Sequence, residues 1–363
     1  MTFYPGPSKL YPQVAQYLQD AYDSGILSAN HRSPAFMDLV RETERLLHEK
    51  LAIPTDYYIY FVCSATECWE IIAQSLTRRE SVHAYSGAFG EKWAEYAARL
   101  KPMVVRLPFD LENSVEDETV TTALRAFAQA EVICLTQNET SNGTQVPMSA
   151  LKIIHETATA LSVSRPLLLA IDATSSMAGV DFDWALGDVW FASVQKCFGL
   201  PAGLGLLVCS PRARHRAVEI GERGHYNSLL FIHENAAKAQ THYTPNGLGI
   251  YLLKRVLEHV PPIADVAERL RRQASDWYRF FDNHPTWKPL VSNPAVRSDT
   301  VIAIEGQPVD IKLIKEKCKA AGITLGNGYG AWKDRTFRIA NFPAIEEEEI
   351  EKLKEVLNYA SWD

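Results

Sequence analysis

The sequence predicts an α/β fold on a parallel or mixed sheet, with a smaller α/β unit towards the C-terminus. Short apolar runs alternate with longer amphipathic segments through roughly the first 260 residues, the pattern of strand–helix–strand units. The double proline Pro261-Pro262 then closes a long helical pattern, and the composition beyond it changes to amphipathic helices. A chain of 363 residues also sits in the range where two domains are expected.

Strands are expected at 58–62, 82–85, 104–107, 132–136, 167–171, 189–192 and 204–209. The first helix is expected over 13–24, opened by Pro12, because no Ser, Thr, Asp or Asn directly precedes it as a cap. Residues 247–260 form the pattern that the double proline ends. Further helices are expected at 263–281 and in the acidic stretch 346–357, with strands near 300–305 and 336–340. The expected division is a large domain over 15–260 and a small one from 1–14 and 261–363.

Composition excludes several function classes. The apolar share is 47% and the charged share 22%, ordinary for a globular chain. A net charge of −7 argues against the clustered basic surface that nucleic acid requires. MTFYPGPSKL lacks the basic and apolar regions of a leader peptide, and no stretch reads as a membrane span, so a cytoplasmic protein is expected. The six cysteines, at 63, 68, 134, 197, 209 and 318, lie mostly in apolar runs without metal-ligand spacing. They read as reduced core residues, and no metal site is expected.

Three places carry chemistry. In SVQKCFGLPAGLGLLV the one charge is Lys196. Burying an ammonium there is costly and favours the neutral amine, the form that makes an imine with an aldehyde. In LLLAIDATSS, Asp172 closes an apolar strand, and strand ends of that kind are where α/β sheets bind ligands; a carboxylate there can keep a pyridine nitrogen protonated. In YFVCSATECWEII a strand feeds Ser64-Ala65-Thr66 and then a helix, a turn that offers backbone N–H groups to an anion.

In this order the three places resemble the class V branch of the fold-type I pyridoxal-phosphate enzymes, and the resemblance spans nearly the whole chain. YPGPSKL, HRSPAF, SGAFGEKW, QNETSNG, YTPNG and RTFRIANFP resemble further segments of that family. The resemblance implies a large domain with a mixed, mostly parallel seven-stranded sheet between helices. It implies pyridoxal 5'-phosphate held as an imine on Lys196, with Asp172 on the ring nitrogen, Phe89 stacked on the ring and Thr140 beside the ring oxygen. Ser64, Ala65, Thr66 and Gln195 would hold the phosphate, with Thr244 reaching it from the partner of a homodimer.

For substrate, the resemblance assigns Arg338 to the α-carboxylate and His31-Arg32 to a second anion. Gln195 stands where cysteine desulfurases of this class carry histidine, which disfavours that activity. Within the class the segments are most like phosphoserine aminotransferases, implying ping-pong transamination between phosphoserine and 2-oxoglutarate. Three positions depart from that group: Phe89 replaces its usual tryptophan, Ala331-Trp332 its His-Arg pair, and Tyr243 the asparagine before Thr244. The alternatives are an alanine or serine–glyoxylate (or pyruvate) aminotransferase and, outside enzymes, a pyridoxal-phosphate-binding regulatory protein.

Overall fold

The computed structural model describes residues 1–101, 103–113, 122, 126, 129–162 and 167–358. The chain opens with β1 (Thr2–Phe3), α1 (Val14–Asp23) and α2 (Pro34–Leu51), then β2 (Tyr58–Val62), α3 (Ala65–Ser75), β3 (Glu80–Tyr85), α4 (Ala88–Leu100) and β4 (Met103–Pro108). Next come β5 (Val132–Thr136), the small pair β6 (Asn138–Glu139) and β7 (Thr144–Gln145), α5 (Met148–Leu161), β8 (Leu168–Asp172), β9 (Val189–Ser193) and β10 (Gly205–Cys209). The helices α6 (Pro211–Ile220), α7 (Leu229–Ala236), α8 (Gly247–His259) and α9 (Ile263–Asn283) follow. The C-terminal part contains β11 (Lys288–Pro289), β12 (Val301–Glu305), α10 (Pro308–Ala320), β13 (Thr324–Asn327), β14 (Thr336–Ala340) and α11 (Glu347–Asn358).

The large sheet has the order β2-β10-β9-β8-β5-β3-β4. Only β10 runs against its two neighbours, and the remaining pairs are parallel. This is the mixed, mostly parallel seven-stranded sheet that the family resemblance implied. Along β9, Trp190 and Ala192 pack into one apolar layer and Val189 and Phe191 into the opposite one. Burial on both faces is why this strand is a continuous apolar run.

A second sheet, β1-β13-β14-β12-β11, joins the first residues of the chain to its C-terminal part. Trp277 and Phe281 of α9, Ile314 of α10 and Leu353 of α11 are buried in the same apolar layer as Ile302, Ile304, Phe337 and Ile339 of this sheet.

The expected elements lie within one or two residues of the observed ones, with instructive differences. Strand β3 starts at Glu80, two residues before its apolar run, because Glu80 and Ser81 are buried and paired with β4 despite their polarity. The strands β1, β11 and β13 were not expected at all. Five cysteines are buried as expected, but Cys63 is exposed. It follows the last residue of β2, where the chain leaves the sheet for α3. No described helix is long and apolar enough to cross a membrane, and no cluster of metal-ligating side chains occurs among the described residues.

Candidate active site

The parallel strands of the large sheet end on one edge, where Asp172 closes β8, Thr136 closes β5 and Ser193 closes β9. A cavity of about 270 Å³ opens there, close to the ~300 Å³ at which small-molecule pockets begin. Seven of the expected site residues line it: Ala65, Thr66, Phe89, Thr140, Asp172, Gln195 and Lys196. A larger hollow of about 760 Å³ lies against α9 and α11, between Asp276 and Asn358, and contains none of them.

Lys196 is 8% exposed. Its Nζ donates to Thr140 Oγ1 at 3.3 Å and to Ser175 Oγ at 3.2 Å. Burial first, and then the Arg338 charge, lower its pKa to about 8 against the opposing pull of Asp172. The amine is therefore substantially neutral near pH 8, whereas a solvated lysine is not. Asp172 is buried as well, and its Oδ1 accepts from the backbone N–H of Thr174 at 2.9 Å. Burial raises its carboxyl to about 6 against the pull of the Thr174 hydrogen bonds.

Gly6 makes room for the lysine. A Cβ there would stand 2.6 Å from Lys196 Cε, and its φ of +133° is a conformation that L side chains rarely adopt. Gly6→Ala is expected to destabilise the fold by about 1–3 kcal/mol and to displace the lysine. The effect should be seen as a lower unfolding temperature and slower reaction of the amine with a small aldehyde. An unchanged rate at Lys196 would show that the close approach has no functional consequence.

Around the cavity the local folding is set by caps. Ser64 caps α3, its Oγ accepting from the Glu67 N–H at 3.2 Å, so its hydroxyl faces the helix and not the cavity. The Ala65 N–H donates to Ser193 Oγ at 2.8 Å, which ties the start of α3 to β9. Glu139, 1% exposed, does for α4 what Ser64 does for α3. Its Oε2 accepts from the Phe89 and Gly90 N–H groups at 3.1 Å each, and its Oε1 accepts from the Ser141 N–H and Oγ. A Cβ on Gly87 would stand 2.4 Å from Glu139 Cγ, so glycine is needed for this approach. Phe89 is thereby fixed over the cavity, its ring centre 5.7 Å from Lys196 Nζ.

Arg338 lies in β14, 4% exposed, behind the cavity wall. Its Nε donates to the Asn327 carbonyl at 2.7 Å and its Nη1 to the Thr140 carbonyl at 2.6 Å. The remaining expected residues do not meet this cavity within one chain. Thr244 is exposed ahead of α8, Arg32 is exposed and His31 half-buried ahead of α2, and none of them lines it.

Sequence reasoning missed Trp69, Lys92, Tyr96, Thr136, Asn138, Thr174 and Ser193 of the lining, and the supporting Gly6, Glu139, Ser175 and Tyr329. Helical spacing was the available signal for Lys92 and Tyr96, which share a face of α4 with Phe89.

The cavity is suited to a polar aromatic ligand. Thr136 Oγ1 and Gln195 Oε1 are buried without hydrogen-bond partners among the described residues, and buried polar atoms ordinarily have one. An aromatic ring, a buried carboxylate, a buried amine and a helix N-terminus surround the same space. These features fit pyridoxal phosphate.

Residues 2–353 match the family model for Aminotransferase class-V. Phosphoserine aminotransferase of Rhodococcus opacus (strain B4) is 27% identical over 368 residues, spanning 98% of this chain and 93% of its own. Among solved structures, a phosphoserine aminotransferase from Cytophaga hutchinsonii is similar at a TM-score of 0.91 and 31% identity, over 100% of this chain and 99% of the other. The alanine–glyoxylate aminotransferase of Nostoc sp. shares the fold at a TM-score of 0.82 and 20% identity, over 98% of this chain and 94% of its own. With the family model spanning nearly all of its length, this chain belongs to the class-V aminotransferases.

Proposed function

We propose that the protein is a homodimeric cytoplasmic transaminase that exchanges the amino group between phosphoserine and 2-oxoglutarate, with pyridoxal phosphate bound at Lys196. The observation that carries the cofactor reading is the buried Lys196 amine in one cavity with Asp172 and Phe89. Relatives that match over the whole chain and are named phosphoserine aminotransferase support the substrate and favour the catalytic reading over the regulatory one. The cysteines are free, in keeping with a reducing compartment.

In this reading Asp172 pairs with the ring nitrogen, Phe89 covers the ring and Thr140 lies beside the ring oxygen. Ala65, Thr66 and Gln195 take the phosphate, with Ser64 holding the turn. When bound, the cofactor supplies an electron-withdrawing ring that stabilises negative charge at the substrate's α-carbon. Lys196 Nζ serves as the base for the α-proton, and Arg338, already oriented by two carbonyls, receives the α-carboxylate. Thr244 and His31-Arg32 serve the cavity of a second copy, since they are absent from their own. Residues 15–260 act as the cofactor domain, and 1–14 with 261–363 as the small domain.

The test is a spectroscopic half-reaction with phosphoserine and with alanine. We expect a higher kcat/KM for phosphoserine with 2-oxoglutarate than for alanine with glyoxylate. Arg32→Ala is expected to raise the KM for phosphoserine by roughly 10²-fold, corresponding to the ~2–3 kcal/mol of a lost charge-assisted contact, and to alter alanine turnover far less. Robust alanine–glyoxylate activity without a phosphoserine half-reaction would overturn the substrate and leave the cofactor reading standing.

A further inference from the structure

We propose that Lys92, alongside the His31-Arg32 pair of a second copy, receives the second anion of an acidic substrate, the phosphate or carboxylate at the end of its side chain. The inference rests on the aminotransferase reading above. It also supplies what the sequence lacks at Ala331-Trp332, where a His-Arg pair was expected.

Lys92 is half-buried in the cavity lining, one helical turn from Phe89 on α4. Its Nζ lies 5.6 Å from the centre of the Phe89 ring, and Lys196 Nζ lies 5.7 Å from the same centre. Its hydrogen-bond partner among the described residues is the phenol of Tyr329. The lysine thus keeps its charge without a carboxylate bonded to it. The Tyr329 hydrogen bond holds the ammonium form, its pKa being raised.

Tyr329 relates Lys92 to the site for the first anion. Its ring stacks on Phe89 with centres 5.2 Å apart. The Lys92 ammonium stands 4.9 Å from the Tyr329 ring centre, and the Arg338 guanidinium carbon 5.7 Å from it. Two cations therefore flank the ring that stacks on Phe89, one assigned to the α-carboxylate and the other unassigned. A substrate with an anion at each end satisfies both, whereas alanine leaves Lys92 unused. A compact ammonium with rotatable donors suits a phosphate or a carboxylate, and an anion displaces the weaker phenol partner.

The test compares the unaltered enzyme with Lys92→Met, Lys92→Arg and Tyr329→Phe. Each is given phosphoserine or alanine in the half-reaction and titrated calorimetrically with the unreactive pair 3-phosphoglycerate and lactate. Lys92→Met is expected to lower the phosphoserine-to-alanine ratio of kcat/KM by about tenfold or more, through KM. It should lower the 3-phosphoglycerate-to-lactate affinity ratio similarly. Lys92→Arg should restore most of both ratios, and Tyr329→Phe, which keeps the ammonium, should preserve them. Equal losses for the two members of each pair would make Lys92 a support for Tyr329 and overturn the proposal, as would unchanged ratios. An enzyme that reacts with alanine but not phosphoserine would end the substrate reading, and the calorimetric ratio would still decide the role of Lys92.

Discussion

Lys196→Ala is expected to abolish turnover and to leave a protein that no longer gains the mass of pyridoxal phosphate on treatment with the cofactor and borohydride. A positioned general base is worth roughly 10²–10⁴-fold, and this variant loses the covalent anchor as well. The physical case is the environment of Nζ. Burial and the Arg338 charge bring the amine to about pH 8, and two hydroxyls hold it in place. The direction with pH follows from the form that reacts. Below about pH 8 the buried amine is mostly protonated and has no lone pair for an aldehyde; above it the amine is free. Cofactor uptake by the emptied protein should therefore accelerate between pH 7 and 9 and then level off. A surface lysine would still be gaining at that point. Lys196→Met, which keeps much of the volume, separates lost chemistry from lost packing. Cofactor mass on another lysine would overturn the assignment.

Legibility in the sequence followed how local each determinant is. Strands such as β8 and β9 were readable because they are buried on both faces and therefore written as apolar runs. Lys196 and Asp172 were readable for the complementary reason, as charges in stretches where a charge is expensive. What escaped depends on partners far along the chain. Strand β1 is two residues long and forms only because β13, more than 300 residues away, offers an edge. Glu139 looked like part of a family segment, and nothing local shows that its carboxylate caps α4 across some 50 residues. Gly6 stood only within the family-like segment YPGPSKL, and nothing local shows that Lys196 packs against it. Arg32 and Thr244 were singled out from the sequence, yet the fold of one chain leaves them outside the cavity, as residues that serve a neighbouring copy would be.

Asp172→Asn should retain the fold and the covalently held cofactor but lower kcat by roughly 10²–10⁴-fold, the rate equivalent of the ~3–5 kcal/mol at stake when one partner of a buried ion pair is removed. The amide keeps the size of the side chain and can still accept from the Thr174 N–H, but it provides no negative charge to hold a proton on the ring nitrogen. The same substitution has an opposite effect on the emptied protein. Burial raises the carboxyl from 3.8 to about 6, so between those values the native state binds more protons than the unfolded one. Stability therefore falls as pH rises through that window, and above about pH 6 the native state carries a constant penalty on the order of 3 kcal/mol. Asparagine has no charge to bury. At pH 7–8 the emptied variant should thus unfold at a higher temperature than the emptied parent, with the gap closing towards pH 4. A slower enzyme that is more stable when empty is what a carboxylate retained for chemistry predicts. Unchanged turnover would show that another group protonates the ring, and a variant less stable at neutral pH would show that Asp172 is held for structure.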